Sequence, residues 1–149
     1  MSHSPILVSA CLLGTACRYD GKSVPCASLL EQLDGLRLIP VCPEQLGGLP
    51  TPRIPCERQG QRVVSKTGTD TTQQYQRGAQ EALRLAKLFG CKAALLKERS
   101  PSCGCGQIYD GSFSKTLVGG DGVTAELLKQ HGIAVFGESR ICDLLGCEL

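Results

Sequence analysis

The stretch TTQQYQRGAQEALRLAKLFGCKAALLKE, residues 71–98, decides the fold. Its first part carries Tyr75, Ala79, Ala82, Leu83, Ala86 and Phe89 at spacings of three and four, the apolar stripe of an amphipathic helix. Asp70 or Thr71 can cap its start, and Gly90 can close its end. CKAALLKE (91–98) then follows as an apolar run too short for a second helix and of strand length. A helix that passes at once into a buried strand is half of the repeating unit of an α/β protein.

The alternation extends in both directions. Upstream, PILVSA (5–10) reads as a strand, SLLEQLDG (28–35) as a helix ending at a glycine, and LRLIPV (36–41) as a second strand. The segment CPEQLGGLPTPRIPCERQG (42–60) contains four of the eight prolines and is expected to be irregular. QRVVSKTGTD (61–70) reads as a short β-hairpin about Thr67-Gly68. Downstream, GGDGVTAELLKQHG (119–132) is a glycine-rich turn entering a helix, IAVFG (133–137) a fourth strand, and ESRICDLLGCEL (138–149) a C-terminal helix. The expected fold class is α/β: a single compact domain over residues 1–149, with a mostly parallel, Rossmann-like sheet flanked by helices. YDG occurs at 19–21 and again at 109–111, and each copy is read as an Asp-Gly turn.

A chain of 149 residues can bury a sufficient core, and 42% hydrophobic with 20% charged residues are globular values. The net charge of +2, scattered basic residues and absence of Trp speak against a stable nucleic-acid complex. The apolar N-terminal stretch is interrupted by Ser9 and far shorter than a membrane span, and no charged leader precedes it. The expectation is therefore a cytoplasmic protein without membrane contact. In that reducing setting ten cysteines point to metal or catalysis rather than to a disulfide frame.

Three of them stand at equivalent places. Cys11, Cys42 and Cys103 each follow a predicted strand, beside glycines or prolines that allow a tight turn. In a parallel sheet the carboxyl ends of the strands share one edge, where ligands bind, so topology brings the three together. Three thiolates leave a tetrahedral set incomplete. That suits a catalytic metal with an open position, or a [4Fe–4S] cluster with one iron lacking a protein ligand. The alternative is a zinc-stabilised or redox-sensing protein without enzymatic activity, with Cys105 or Cys17 completing the ligand set.

Four blocks carry a family resemblance: VSACLLGTACRYDG (8–21), PVCPEQLGGLPTPRIPCE (40–57), SPSCGCGQIYDGSF (100–113) and GDGVTAELLKQHGIAVFGE (120–138). Together they resemble a bacterial family, long described only as a domain of unknown function, that includes the thiouracil desulfurases. The resemblance implies a [4Fe–4S] cluster bound by Cys11, Cys42 and Cys103. It also implies a small thiolated pyrimidine as substrate, either 2-thiouracil or 4-thiouracil and its 4-thiouridine nucleotide. The implied reaction is hydrolytic and non-redox, exchanging the thiocarbonyl sulfur for oxygen and releasing sulfide. Cys17, Cys105, Cys26, Cys56, Cys91, Cys142 and Cys147 are read as structural or incidental, with Cys105 and Cys17 the neighbours that can replace a ligand.

Such chemistry needs a base to activate water and a donor to return a proton. Glu44, two residues from Cys42, is the first candidate. Ser102 beside Cys103, Ser100 near it, and Asp20 in the first YDG are expected to orient water or the pyrimidine, with Asp110 behind them. Arg53 is a further candidate for a phosphate or carboxylate. GGDG (119–122) is read as an ordinary loop, and His3 and His131 carry no role.

Overall fold

The computed structural model describes residues 4–148, and the side chains of Cys147 and Glu148 lie outside that description, as does His3. In chain order the elements are β1 (Ile6–Ser9), a 3-10 turn (Ala10–Leu13), α1 (Ala27–Leu33), β2 (Leu38–Val41), α2 (Pro43–Leu46), β3 (Cys56–Gln59) and β4 (Arg62–Ser65). They continue with α3 (Thr72–Phe89), β5 (Ala93–Leu96), β6 (Gln107–Tyr109), β7 (Leu117–Gly119), α4 (Val123–Gln130), β8 (Ala134–Gly137), a second 3-10 turn (Glu138–Arg140) and α5 (Ile141–Glu148).

The central sheet has the order β2-β1-β5-β8, and every pairing in it is parallel. Its two central strands, β1 and β5, are buried on both faces and so read as nearly continuous apolar runs. Ile6, Val8, Ala93, Leu95 and Phe136 pack with Leu29 and Leu33 of α1 and Leu144 of α5 on one side. Leu7, Val41, Ala94, Leu96 and Val135 pack with Ala82, Leu83 and Ala86 of α3 and Leu128 of α4 on the other. Truncating a fully buried residue such as Leu95 or Leu96 to alanine would cost about 2–5 kcal/mol. Among the described residues no helix is long and apolar enough to cross a membrane.

The helical stripe on α3 is as its spacing predicts, with Tyr75, Ala79, Ala82, Leu83 and Ala86 buried; Phe89 at its end is exposed. Gly90 closes that helix at φ 72°, in the left-handed region where glycine is unstrained. Thr71 occupies the N-cap position without a side-chain capping bond, its hydroxyl donating to the Val63 carbonyl at 3.0 Å, and the Thr72 N–H donates instead to Asp70 Oδ1 at 2.9 Å.

The turn expected about Thr67-Gly68 is present: the Ser65 N–H donates to the Thr69 carbonyl at 2.8 Å and Val64 bridges Asp70 in antiparallel sense. Two local expectations need correction. Residues 42–60 are not irregular throughout, because they hold α2 and β3, and β3 pairs with β4 across a turn at Gly60, with Cys56 opposite Ser65. Cys56–Gln59 was hidden by the preceding prolines, whose irregularity ends sooner than their density implies. A second hairpin, β6 with β7, also lies in what the sequence presents only as glycine-rich turn. Its strands have three residues each, too few for periodicity to register.

Chain direction places the site. From β1 the chain winds through α1 to β2 at one edge, crosses back under α3 to β5, and winds through α4 to β8 at the other edge. The winding reverses between β1 and β5, so the loops leaving their carboxyl ends diverge and open a crevice.

Candidate functional site

A cavity of about 510 Å³ opens at that crevice. Cys11 reaches it from the 3-10 turn after β1, Cys42 from the residue after β2 that also starts α2, and Cys103 from the loop after β5. Cys11 and Cys103 are buried and Cys42 is half-buried. Burial, reinforced by neighbouring Cys42, pushes the Cys11 thiol up to about 11. Burial likewise pushes Cys103 up to about 12, against a hydrogen bond from the Ser9 hydroxyl and with Glu44, Cys11 and Cys42 adding to the rise. The three sulfurs thus feel one another across one space, and any metal they bind must displace their protons.

Among the described residues no group of three His, Cys, Asp or Glu side chains is placed to hold one metal ion. Three soft sulfur donors lining one largely buried pocket are the donor set of an iron–sulfur cluster.

Cys17, read from sequence as structural, also lines the cavity. Burial, then the charge and sulfur contact of Cys42, push its thiol up to about 12. Cys105 does not line it: its Sγ donates to the Val135 carbonyl at 3.4 Å, on the α4 side of the sheet. The glycine turn between them accounts for the divergence. A Cβ on Gly104 would lie 2.7 Å from the Ser100 carbonyl oxygen, so the chain is folded tightly there and successive cysteines point apart.

Glu44 lies in the first turn of α2, directly beside the cavity. Its Oε1 accepts from Arg53 Nε at 2.9 Å and from the Tyr75 hydroxyl at 2.8 Å. Burial and then Glu44 push the Tyr75 phenol far up, so it is held as a donor. Arg53 is therefore committed to an internal ion pair instead of a ligand phosphate. Its Nη1 reaches Pro50 O and Thr51 Oγ1, and its Nη2 reaches the Cys17 carbonyl.

The serines separate in an unexpected way. Ser102 is fully buried and its hydroxyl bonds Thr124 Oγ1 at 2.8 Å, away from the cavity, which corrects the expectation that adjacency to Cys103 places it at substrate. Ser100 lines the cavity, and its Oγ accepts from the N–H groups of Ser102 and Cys103 at 3.1 and 3.0 Å. Two donors on that oxygen leave its proton available to a ligand. Asp20 is also displaced: it accepts from the Lys22 N–H at 3.0 Å and pairs with Arg18 at 3.8 Å, outside the cavity wall. Asp110 closes its own turn through Ser112.

Sequence reasoning passed over three participants. Ser9 looks like an interruption in an apolar strand, yet its oxygen accepts from the Lys97 N–H at 2.9 Å and its hydroxyl meets Cys103. Tyr75 is the one member of the α3 stripe with a polar tip, a signal that was available. The third is Phe113, in the loop between β6 and β7. Arg99, Phe113 and Lys115 have φ of 67°, 59° and 62°, and all three line the cavity. Left-handed backbone at non-glycine residues costs about 1–3 kcal/mol each and gathers at functional sites. The loop is braced from β3, where Glu57 Oε1 accepts from the N–H groups of Gly111 and Phe113 at 3.0 and 3.1 Å.

The chain as a whole is similar to known proteins of one family. The sequence model of the 2-thiouracil desulfurase family matches residues 6–140. A Bacillus subtilis (strain 168) protein, described as the uncharacterized protein YbbK, is 42% identical over 150 aligned positions, covering 94% of this chain and 99% of its own length. A solved structure of the [4Fe-4S]-dependent thiouracil desulfidase TudS superposes with a TM-score of 0.92 at 48% identity, covering 97% of both chains.

Proposed function

This chain belongs to the 2-thiouracil desulfurase family, and from that premise we propose that it is a [4Fe–4S]-dependent thiouracil desulfidase whose cluster is held by Cys11, Cys42 and Cys103. The observation that carries the ligand assignment is the convergence of these three cysteines, from the ends of three adjacent parallel strands, on one cavity that also contains Glu44.

The net change exchanges C=S for C=O: water is consumed and hydrogen sulfide leaves, with no electron gained or lost. A cluster held by Cys11, Cys42 and Cys103 would supply Lewis acidity that polarises the thiocarbonyl sulfur. The remaining work falls to the side chains. Glu44, anchored through Oε1, keeps Oε2 to accept a proton from the attacking water and to return it as the tetrahedral carbon collapses. The Ser100 hydroxyl, fixed at its oxygen, donates to the pyrimidine or to that water. Phe113 offers an aromatic face to the ring, on a loop whose strained backbone is held by Glu57. The Ser9 hydroxyl stabilises the Cys103 thiolate that cluster binding requires.

The cavity wall favours an anionic form of the substrate. Arg18, Lys66, Lys97, Arg99 and Lys115 line it, and Lys66 and Lys115 enter no ion pair among the described residues. A thiolated uracil mononucleotide such as the 4-thiouridine nucleotide would place its phosphate there and its ring beyond. A reducing cytoplasm would keep the cysteine thiols available to a cluster.

Anaerobic reconstitution with iron and sulfide, followed by incubation with thiouracil, tests the reading. Uracil and sulfide should appear in equal amounts, and a cluster-loaded protein that releases neither would refute the substrate assignment. Glu44→Gln should load its cluster and lose about 10²–10⁴-fold in kcat.

A further inference from the structure

We propose that Arg53 and Tyr75 are positioning residues that hold the Glu44 carboxylate in its working orientation, an inference that rests on the reading of Glu44 as the base. A carboxylate with one donor can turn about that contact. Here two donors from different elements meet at one oxygen: Arg53 Nε at 2.9 Å from the loop before β3, and Tyr75 OH at 2.8 Å from α3. Oε1 is fixed between them, and Oε2 accepts no hydrogen bond among the described residues. The reactive oxygen is thereby defined by the placement of its twin.

Both donors are themselves immobile. The Arg53 side chain is 5% exposed and spends its three nitrogens on Glu44, Pro50, Thr51 and Cys17. It also ties the base to the loop that follows the 3-10 turn carrying Cys11, because Nη2 donates to the Cys17 carbonyl at 2.9 Å. One planar guanidinium thus braces Glu44 and the Cys17 backbone together. A lysine ammonium, a point donor on a flexible stem, cannot span those directions. Tyr75 is 2% exposed, and phenylalanine would fill the same place in the α3 stripe. Its hydroxyl is a feature that packing alone does not require.

Tyr75→Phe removes that donor, together with the contact of the hydroxyl to Cys56, and keeps the ring, so it is the decisive variant; Arg53→Lys is the second. In the reconstituted full chain, Tyr75→Phe is expected to lower kcat about ten- to a hundred-fold, the worth of a hydrogen bond to a charged group. KM for thiouracil, iron content and the visible cluster spectrum should stay at wild-type values. In a crystal structure of the cluster-free variant, the Glu44 carboxylate should be rotated or in two conformers. In the Glu44→Gln background the same substitution should cause no further loss, because the group it positions is gone. Wild-type kcat in Tyr75→Phe with an inactive Glu44→Gln would overturn the positioning role and leave the base intact. Additive losses in the double variant would also overturn it, by showing that Tyr75 acts independently of Glu44. Full activity in Glu44→Gln would remove the base reading and the inference with it.

Discussion

The seat of α2 on α3 offers the sharpest mutational test, because α2 carries both Cys42 at its start and Glu44 in its first turn. The two helices meet backbone to backbone at Gly47 and Gly78. A Cβ on Gly78 would lie 1.9 Å from the Pro43 carbonyl oxygen and 2.8 Å from its carbon. Pro43 is the residue between Cys42 and Glu44. To reach even the closest tolerable contact in Gly78→Ala, α2 must retreat by roughly 1 Å, since close-packed interiors transmit such strain. Alanine gains about 1 kcal/mol of helix propensity over glycine, while overpacking costs about 1–3 kcal/mol. The expected balance is a loss of up to about 2 kcal/mol, read as a fall in Tm of up to roughly 6 °C for the cluster-free protein. Activity should suffer more than stability, because a misplacement of about 1 Å can cost on the order of 10²-fold in kcat/KM. Thermal unfolding, iron content and thiouracil turnover of the same preparation measure the three effects. A variant that melts higher and turns over at the wild-type rate would refute the reasoning, since the contact would then have yielded without moving the site.

Other consequences follow from individual contacts. Ser9→Ala strips a partner from the Lys97 N–H and from Cys103, and should destabilise the cluster-free protein by about 1–3 kcal/mol in urea and hasten iron loss to a chelator. Lys115→Glu should raise KM about tenfold for a thiolated mononucleotide while leaving the free base unaffected, as steady-state kinetics with both substrates would show. In the cluster-free protein at pH 8, iodoacetamide should label Cys26 first, because the Ser28 hydroxyl lowers its exposed thiol. Cys11, Cys17 and Cys103 should lag, as thiols raised to about 11 and 12 are almost wholly protonated at that pH, and peptide mass mapping with time resolves the order.

The central strands β1 and β5 were legible because burial on both faces leaves nearly continuous apolar runs, and α3 because its stripe repeats over 18 residues. Short elements were not. β6 and β7 are too brief for a period, and the Cys56–Gln59 strand sits behind a proline cluster. The same division holds at the site. Cys11, Cys42 and Glu44 follow strand ends directly, so topology alone carries them to the crevice. Ser102 and Ser100 are separated by one proline, and which of them faces the cavity depends on how the loop coils around Gly104 and Gly122. Adjacency to Cys103 favoured Ser102, whereas the turn buries it against Thr124. Arg53 and Tyr75 are distant in sequence, and only tertiary packing brings their donors to one oxygen of Glu44.

The ligand set is tested most directly by iron and acid-labile sulfide measured on anaerobically reconstituted single variants, each first checked for a folded far-UV spectrum. Cys11→Ser, Cys42→Ser and Cys103→Ser should each fail to retain the cluster, while Cys105→Ser, whose sulfur points to the Val135 carbonyl, should keep the full four irons of a [4Fe–4S] centre. Loss of iron from Cys105→Ser, or its full retention in any of the other three, would contradict the account.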